Sequence, residues 1–340
     1  MTTAAELASY ASSFPSFRNR IINGNFEIWQ RGNTSRTFGI AKDYSADRWC
    51  RSGYQSAAHE RVTVSSPVAG MTSRYAIRSS SCTTAEDANG SRMTVDQKIE
   101  SVNCYDLAGK QITLSFWIRF SSTASSLGSS FSSRVDYNTS NTDSTTFSDL
   151  GDGNICGNTI SSTSLPTAWT KITKTGLVPA GVQNLTPRFQ FNNLVSTASA
   201  GSEWFEITEV QVEEGTVPTP FEHRPYGTEL ALCQRYYFDQ TLNGSYSTPL
   251  IRSQSDENEY YGFVEFPVEM RVIPTFGFYS GDTTLDIHKP SIRFDTATYY
   301  TASSTTNNIL LLFSPSVDDT SVYVCFLRFT NGNYYLDAEL

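Results

Sequence analysis

Charge is scarce in this 340-residue chain, where Asp, Glu, Lys and Arg together supply 17% of positions. Long surface helices draw on Glu, Lys and Ala, so this composition disfavours them. Histidine is scarcer still: His59, His223 and His288 fall in different regions, and none sits beside a Ser or Cys nucleophile in sequence. The six cysteines (Cys50, Cys82, Cys104, Cys156, Cys233 and Cys325) contain no Cys-x-x-Cys pair. They read as scattered reduced thiols of a protein made in a cytosol. No apolar run approaches the ~18 residues of a membrane span, so membrane insertion is not expected. The segment Met1–Leu7 has neither the basic nor the apolar region of a secretory signal. Gly-x-Ser-x-Gly, His-Glu-x-x-His, phosphate-cradling and dinucleotide signatures are all missing, so the chain is not expected to be an enzyme. Basic excess is missing too: 25 Lys and Arg face 34 Asp and Glu, a net charge of -9 that repels nucleic acid.

What is present is Ser, Thr and 13% aromatic residues, a mix that favours strands joined by polar turns. The clearest strand is Gln111–Phe120, with Ile112, Leu114, Phe116, Ile118 and Phe120 on one face and Thr113, Ser115, Trp117 and Arg119 on the other. Further strands are expected at Arg61–Ser65, Tyr75–Ser79, Met93–Ile99, Trp169–Thr175, Arg188–Phe191 and Trp204–Val212. The last changes phase between Phe205/Ile207 and Val210/Val212, which predicts a bulge near Thr208-Glu209. Residues 121–164 are Ser/Thr/Asn/Gly-rich; the anchors Phe131, Val135, Tyr137 and Phe147 predict partial order and an extra hairpin. Glu213-Glu214 reads as a strand end facing water.

The expected architecture is all-β. Residues 1–18 form an N-terminal arm or short helix, carrying a thin apolar stripe of Ala4, Leu7, Ala8 and Ala11 that must dock on something. Residues 19–222 form a jelly-roll β-sandwich, Pro218–Pro225 reads as a linker, and 223–340 form a smaller second β-sandwich domain. In that last part Gly262–Met270 alternates, whereas Ile309–Phe313 and Val322–Phe329 are apolar on both parities and need covering on both faces.

Two readings stay open for Trp117. With Arg119 and the polar residues of its face it offers a flat ring for a sugar to stack on; alternatively, a loop or second layer covers it. Tyr260-Tyr261 and Tyr299-Tyr300 form a second candidate glycan-binding surface, as does Asn331–Tyr335.

Longer phrases carry a resemblance. Asn23-Gly24-Asn25-Phe26-Glu27 with Trp29, and the closing strand Phe205–Val212, resemble the first and last strands of jelly-roll carbohydrate-binding modules. The fuller set is similar to bacteriophage virion proteins of the tail-fibre type. It comprises Ile21–Gly24, Tyr44–Trp49, Leu114–Trp117, Val212–Gly215, Pro220–Pro225, Glu229–Tyr237 and Val268–Arg271 with Pro274-Thr275. The resemblance covers residues 19 to about 280.

It implies a homotrimeric virion appendage, made in the host cytoplasm, that binds host-surface polysaccharide during adsorption and meets other virion proteins through residues 1–18. Two alternatives are a non-receptor structural virion protein (capsid decoration, head fibre or connector) and, further off, a polysaccharide depolymerase. No cofactor is expected, but the modules often hold a structural calcium, for which Glu27 and Glu209 stand at the acidic positions. The chain has Thr208-Glu209 where those modules commonly carry two aspartates, and calcium takes about six or more oxygens.

Overall fold

The computed structural model describes residues 17–32, 36–37, 43–51, 57–81, 93–126, 128, 130–139, 152–192, 203–240, 248–252, 260–278, 285–288, 297–304, 308–315, 325–329 and 334–339. Most of the expected N-terminal arm, residues 1–16, lies outside them. The chain divides into two units, one ending at Glu229 and the other running Leu230–Glu339.

Among the described residues the first unit holds β1 (Arg36–Thr37), β2 (Asp43–Tyr44), β3 (Cys50–Arg51), β4 (Ala57–Thr63), β5 (Tyr75–Ser81) and β6 (Met93–Asp96). It continues with β7 (Gln111–Phe120), β8 (Ser130–Asn138), β9 (Gly153–Ser161), β10 (Thr170–Leu177), β11 (Asn184–Asn192) and β12 (Trp204–Glu214). They form two six-stranded sheets, ordered β1-β4-β5-β12-β7-β10 and β2-β3-β6-β11-β8-β9. Every pairing in them is antiparallel. This is the all-β sandwich expected.

Alternation builds the core. Ile112, Leu114, Phe116, Ile118 and Phe120 of β7 are buried, and they meet Phe131 and Val135 of β8 and Phe189 and Phe191 of β11 from the facing sheet. Phe116 and Phe189 pack edge-on at 4.7 Å, and Phe131 bridges Phe120 at 5.2 Å and Phe205 at 5.3 Å. Each buried Phe contributes roughly 1.5–3 kcal/mol relative to exposure. The extra hairpin expected in residues 121–164 is β8–β9. The bulge in β12 is also present: its register against β7 shifts between Thr208 and Gln211, with Glu209 at φ +51°.

The opening phrase pairs with that bulge. Arg20 N donates to Val212 O at 2.8 Å and Val210 N to Gly24 O at 2.9 Å. Gly24 is required by close approach, since a Cβ there would lie 2.3 Å from Val210 O. Asn23, at φ +56°, ties the turn: its Nδ2 donates to Ile28 O (2.8 Å) and Asp47 O (3.1 Å), and its Oδ1 accepts from Ile28 N (3.0 Å).

Three expectations need correction. Pro218–Pro225 is no free linker: Thr219 N donates to Glu213 Oε1 at 2.8 Å, and Glu222 N to Gln211 Oε1 at 2.9 Å. Glu213 is thereby buried, 2% exposed, while Glu214 reaches solvent and pairs with Lys110 at 2.8 Å. The segment after Pro225 is helical, α1 (Tyr226–Gln234); its apolar residues run consecutively from Leu230 to Cys233, so no 3.6-residue stripe announces it.

The second unit has β13 (Tyr237–Gln240), β14 (Thr248–Arg252), β15 (Tyr260–Glu265), β16 (Thr275–Phe278), β17 (Leu285–His288), β18 (Ala297–Ser304), β19 (Asn308–Pro315), β20 (Cys325–Phe329) and β21 (Tyr334–Asp337). Its sheets are β13-β21-β16 and β17-β20-β14-β15-β19-β18. The alternation of Gly262–Met270 overruns its strand, which ends at Glu265. The two strands apolar on both parities fall at β19 and β20, each paired along both edges.

Candidate functional site

Trp117 and Arg119 do sit on the outer face of the first sheet, but that face is covered. Trp117 is 8% exposed and packs with Ala76, Trp169, Val62, Val64 and Met71. A Cβ added at Gly70 would touch its ring at 3.7 Å. The covered arrangement is therefore the one observed, and the ring presents no open platform. Arg119 is occupied as well: Nε meets Glu206 Oε2 at 2.6 Å, Nη2 donates to Ser65 Oγ at 2.9 Å, and the guanidinium lies 4.8 Å from the Trp169 ring. Glu206, fully buried, also binds Arg78 at 2.6 Å. Arg119 thus fastens the covering loop.

Glu209 does not fit a calcium site. Its Oε1 accepts from Thr72 N (2.5 Å), Thr72 Oγ1 (3.0 Å) and Ser73 N (2.8 Å), and its Oε2 accepts from Trp117 Nε1 (3.1 Å). These donors occupy the oxygens a cation would need. Glu27 is held instead by Asn25 Nδ2 at 3.2 Å. Among the described residues no three His, Cys, Asp or Glu gather as metal ligands.

The four tyrosines are brought together by backbone register. Tyr260 and Tyr299 both pair with Phe313, and Tyr261 and Tyr300 both pair with Leu312, so β15 and β18 carry them at matching heights on either side of β19.

Sequence reading missed the outer face of the second sheet. There β8 and β11 pair Ser130 with Asn192, Ser132 with Gln190, Arg134 with Arg188, Asp136 with Thr186 and Asn138 with Asn184. Strand β6 adds Thr94 opposite Gln190 and Asp96 opposite Arg188, and β9 adds Thr159 opposite Ser132. The intervening residues Phe131, Val135, Phe189 and Phe191 point to the core, so period-two alternation makes the opposite face polar throughout. The signal was available as Ser-Phe-Ser-Ser-Arg-Val-Asp-Tyr-Asn from 130 and Asn-Leu-Thr-Pro-Arg-Phe-Gln-Phe-Asn from 184. The hairpin and the Arg188–Phe191 strand are expected from the sequence, but their polar side is not singled out there as a surface.

This face carries a cleft of about 480 Å³ lined by Ser130, Ser132, Arg134, Asn154, Asn158 and Asn192, with Ser133, Gly157 and Thr159. That is within the ~300–1,000 Å³ of small-ligand sites. Asn192 Nδ2 donates to Ser130 Oγ and Ser132 Oγ, each at 3.2 Å, and Gln190 Nε2 donates to Asn192 Oδ1. Ser133 and Asn158 also border the cleft, but they pair with each other across β8 and β9, and Ser133 pairs with Phe189, so their side chains share the core face rather than the cleft.

Beside the cleft lies a charged row. Arg188 Nε lies 3.2 Å from both Asp96 oxygens, Arg188 Nη1 lies 3.2 Å from Asp136 Oδ2, and Arg134 Nε lies 2.7 Å from Asp136 Oδ1. Burial pushes the Asp96 carboxyl up to about 6, against the attraction of Arg188 and with help from Asp136. Burial disfavours the Arg188 cation, yet the two aspartates outweigh it and raise its pKa.

One pairing resembles catalytic apparatus: Ser45 Oγ lies 2.9 Å from His59 Nδ1. Both residues are fully buried, and burial followed by the nearby Arg51 lowers the histidine to about 3, so neither meets a substrate.

No protein-family model and no curated protein matches the chain. Among solved structures, a tailspike protein 4 enzymatically active domain of bacteriophage CBA120 is similar at 13% identity and TM-score 0.33, over 59% of this chain but 22% of that one. The C-terminal family 22 carbohydrate-binding module of Clostridium thermocellum Xyn10B is similar at 14% identity and TM-score 0.32, over 55% of this chain and 99% of the module. A family 16 carbohydrate-binding module follows at 12% identity and TM-score 0.27, over 45% and 84%. None of these assigns an activity to this chain.

Proposed function

We propose that the chain is a bacteriophage virion appendage protein of the tail-fibre type, a homotrimer that holds host-surface glycans in the polar cleft of its second sheet. The observation that carries the binding role is the Asn192–Ser130–Ser132 network beside Arg134 on the outward face of the second sheet. Hydroxyls and amides fixed on strands suit the dense donor and acceptor pattern of a sugar. The placement on a virion rests on the phrase set, from Ile21–Gly24 through Pro220–Pro225 to Glu229–Tyr237. The cleft has no aromatic platform, so each site binds weakly, and three copies compensate through effective concentration.

The test is binding of the purified protein to host cells and competition with phage adsorption, alongside Asn192→Ala and Asn154→Ala. Binding lost in the double variant, with an unchanged melting curve, supports the reading. Undiminished adsorption in excess protein overturns it, and a monomer by light scattering removes the trimer.

A non-receptor structural role in the virion is the second reading. One feature favours it: Phe17, 53% exposed, edges a groove of about 170 Å³ with Pro225 and Thr228, a shape suited to a neighbouring subunit. Antibody labelling of the particle separates the two roles.

A further inference from the structure

We infer that the cleft selects glycans bearing a sugar carboxylate, with the guanidinium of Arg134 as the anchoring group; this rests on the glycan-binding reading above. Arg134 is the single charged side chain among the residues lining the cleft, and the rest are Ser, Asn, Thr and Gly. Its Nε is engaged by Asp136 at 2.7 Å, which fixes the plane of the guanidinium. Its side chain stays 20% exposed, and among the described contacts its two Nη amines have no partner. A guanidinium held by one edge presents its other donors as a fork, the geometry that takes a carboxylate through two parallel bonds.

The surrounding charges reinforce this. Asp136 also meets Arg188, and Arg188 meets Asp96, so the acids next to the cleft are each matched to a buried cation rather than turned toward the ligand. Each aspartate is shielded by at least one arginine, and no carboxylate lines the cleft. An entering anion therefore meets donors and a cation at close range. The net charge of -9 opposes approach from afar, but that long-range field is screened beyond about 8 Å at physiological salt. Around the carboxylate, Asn154, Asn192, Ser130 and Ser132 remain for the ring hydroxyls.

The experiment is titration calorimetry of the full chain with oligogalacturonate, with the same oligomer after carboxyl reduction, and with oligomeric polysialic acid as a second carboxylate source. The expected result is binding of at least one acidic oligomer about tenfold tighter than the reduced oligomer. In Arg134→Gln that preference vanishes while affinity for the reduced oligomer holds. Arg134→Lys, which keeps the charge without the fork, retains part of the preference and guards against a fold defect in the glutamine variant. Equal affinity for acidic and reduced oligomers overturns carboxylate selection and leaves glycan binding standing. So does a preference that survives in Arg134→Gln. Failure of all three ligands to bind overturns the selection and counts against the glycan reading itself.

Discussion

Trp117 Nε1 donates to Glu209 Oε2 at 3.1 Å, linking the middle of β7 to the bulge of β12. The other oxygen of the same carboxylate gathers Thr72 N, Thr72 Oγ1 and Ser73 N from the covering loop. Replacing Glu209 with Ala strands these donors beneath the loop, and each buried orphan costs about 1–3 kcal/mol. The expected loss is roughly 3 kcal/mol or more in urea unfolding of the full chain. A loss below about 1 kcal/mol would show that water replaces the carboxylate freely.

Because protein donors already satisfy Glu209, metal removal should have no effect there. Melting midpoints with a chelator and with added calcium should coincide with the untreated protein, and the same should hold for Glu209→Gln. A calcium-dependent rise in the wild type that Glu209→Gln abolishes would place an ion at that carboxylate.

Two buried groups set opposite pH trends. Asp96 is raised from 3.8 to about 6, so the folded state holds its proton more tightly and stability from this group falls as pH rises from about 4 to 6. His59 is lowered from 6.5 to about 3, so its contribution is intact above pH 6.5 and is lost as pH falls toward 3. Over pH 4 to 6 the two slopes oppose one another. Asp96→Asn should therefore unmask the histidine, giving stability that drops with acidification by up to about 1.4 kcal/mol per pH unit, steeper than in the wild type. Denaturant melts at stepped pH check this, and parallel wild-type and variant curves would refute it.

The side chain of Arg224, 5% exposed, sits between the two ends of the first unit. Nη1 donates to Ile21 O at 3.0 Å and meets Glu229 Oε2 at 3.1 Å; Nη2 reaches Asn19 O and Glu222 Oε2. Arg224→Ala leaves Glu222 and Glu229 facing each other without their shared cation, a loss of roughly 3–5 kcal/mol. Arg224→Lys keeps the charge but cannot reach all four acceptors and should fall between. Thermal melts rank the three proteins, and an alanine variant as stable as wild type would deny the clamp.

Local pattern made much of this fold legible. The apolar residues at even positions from Ile112 to Phe120 gave both the central strand and its buried face, and the parity switch after Ile207 gave the bulge. What covers a face was not legible, because Gly70 and Thr72 meet Trp117 and Glu209 across the fold rather than along the chain. The cleft escaped for a different reason. A strand with Ser, Arg, Asp and Asn outward and only Phe131, Val135 and Tyr137 as large residues inward carries too little hydrophobic contrast to mark its polar side as a site. Helix α1 escaped because its apolar residues are contiguous and its start depends on Pro225 O accepting from Thr228 N and Glu229 N.

The reach of Arg224 bears on biosynthesis. Its bond to Ile21 spans 203 positions, and Asn23 N meets Glu229 across 206. A nascent chain cannot seal this sandwich until the ribosome has extruded the start of α1. Until then the emerging strands wait with their edge open, which makes this interval the stage at which chaperones would matter most.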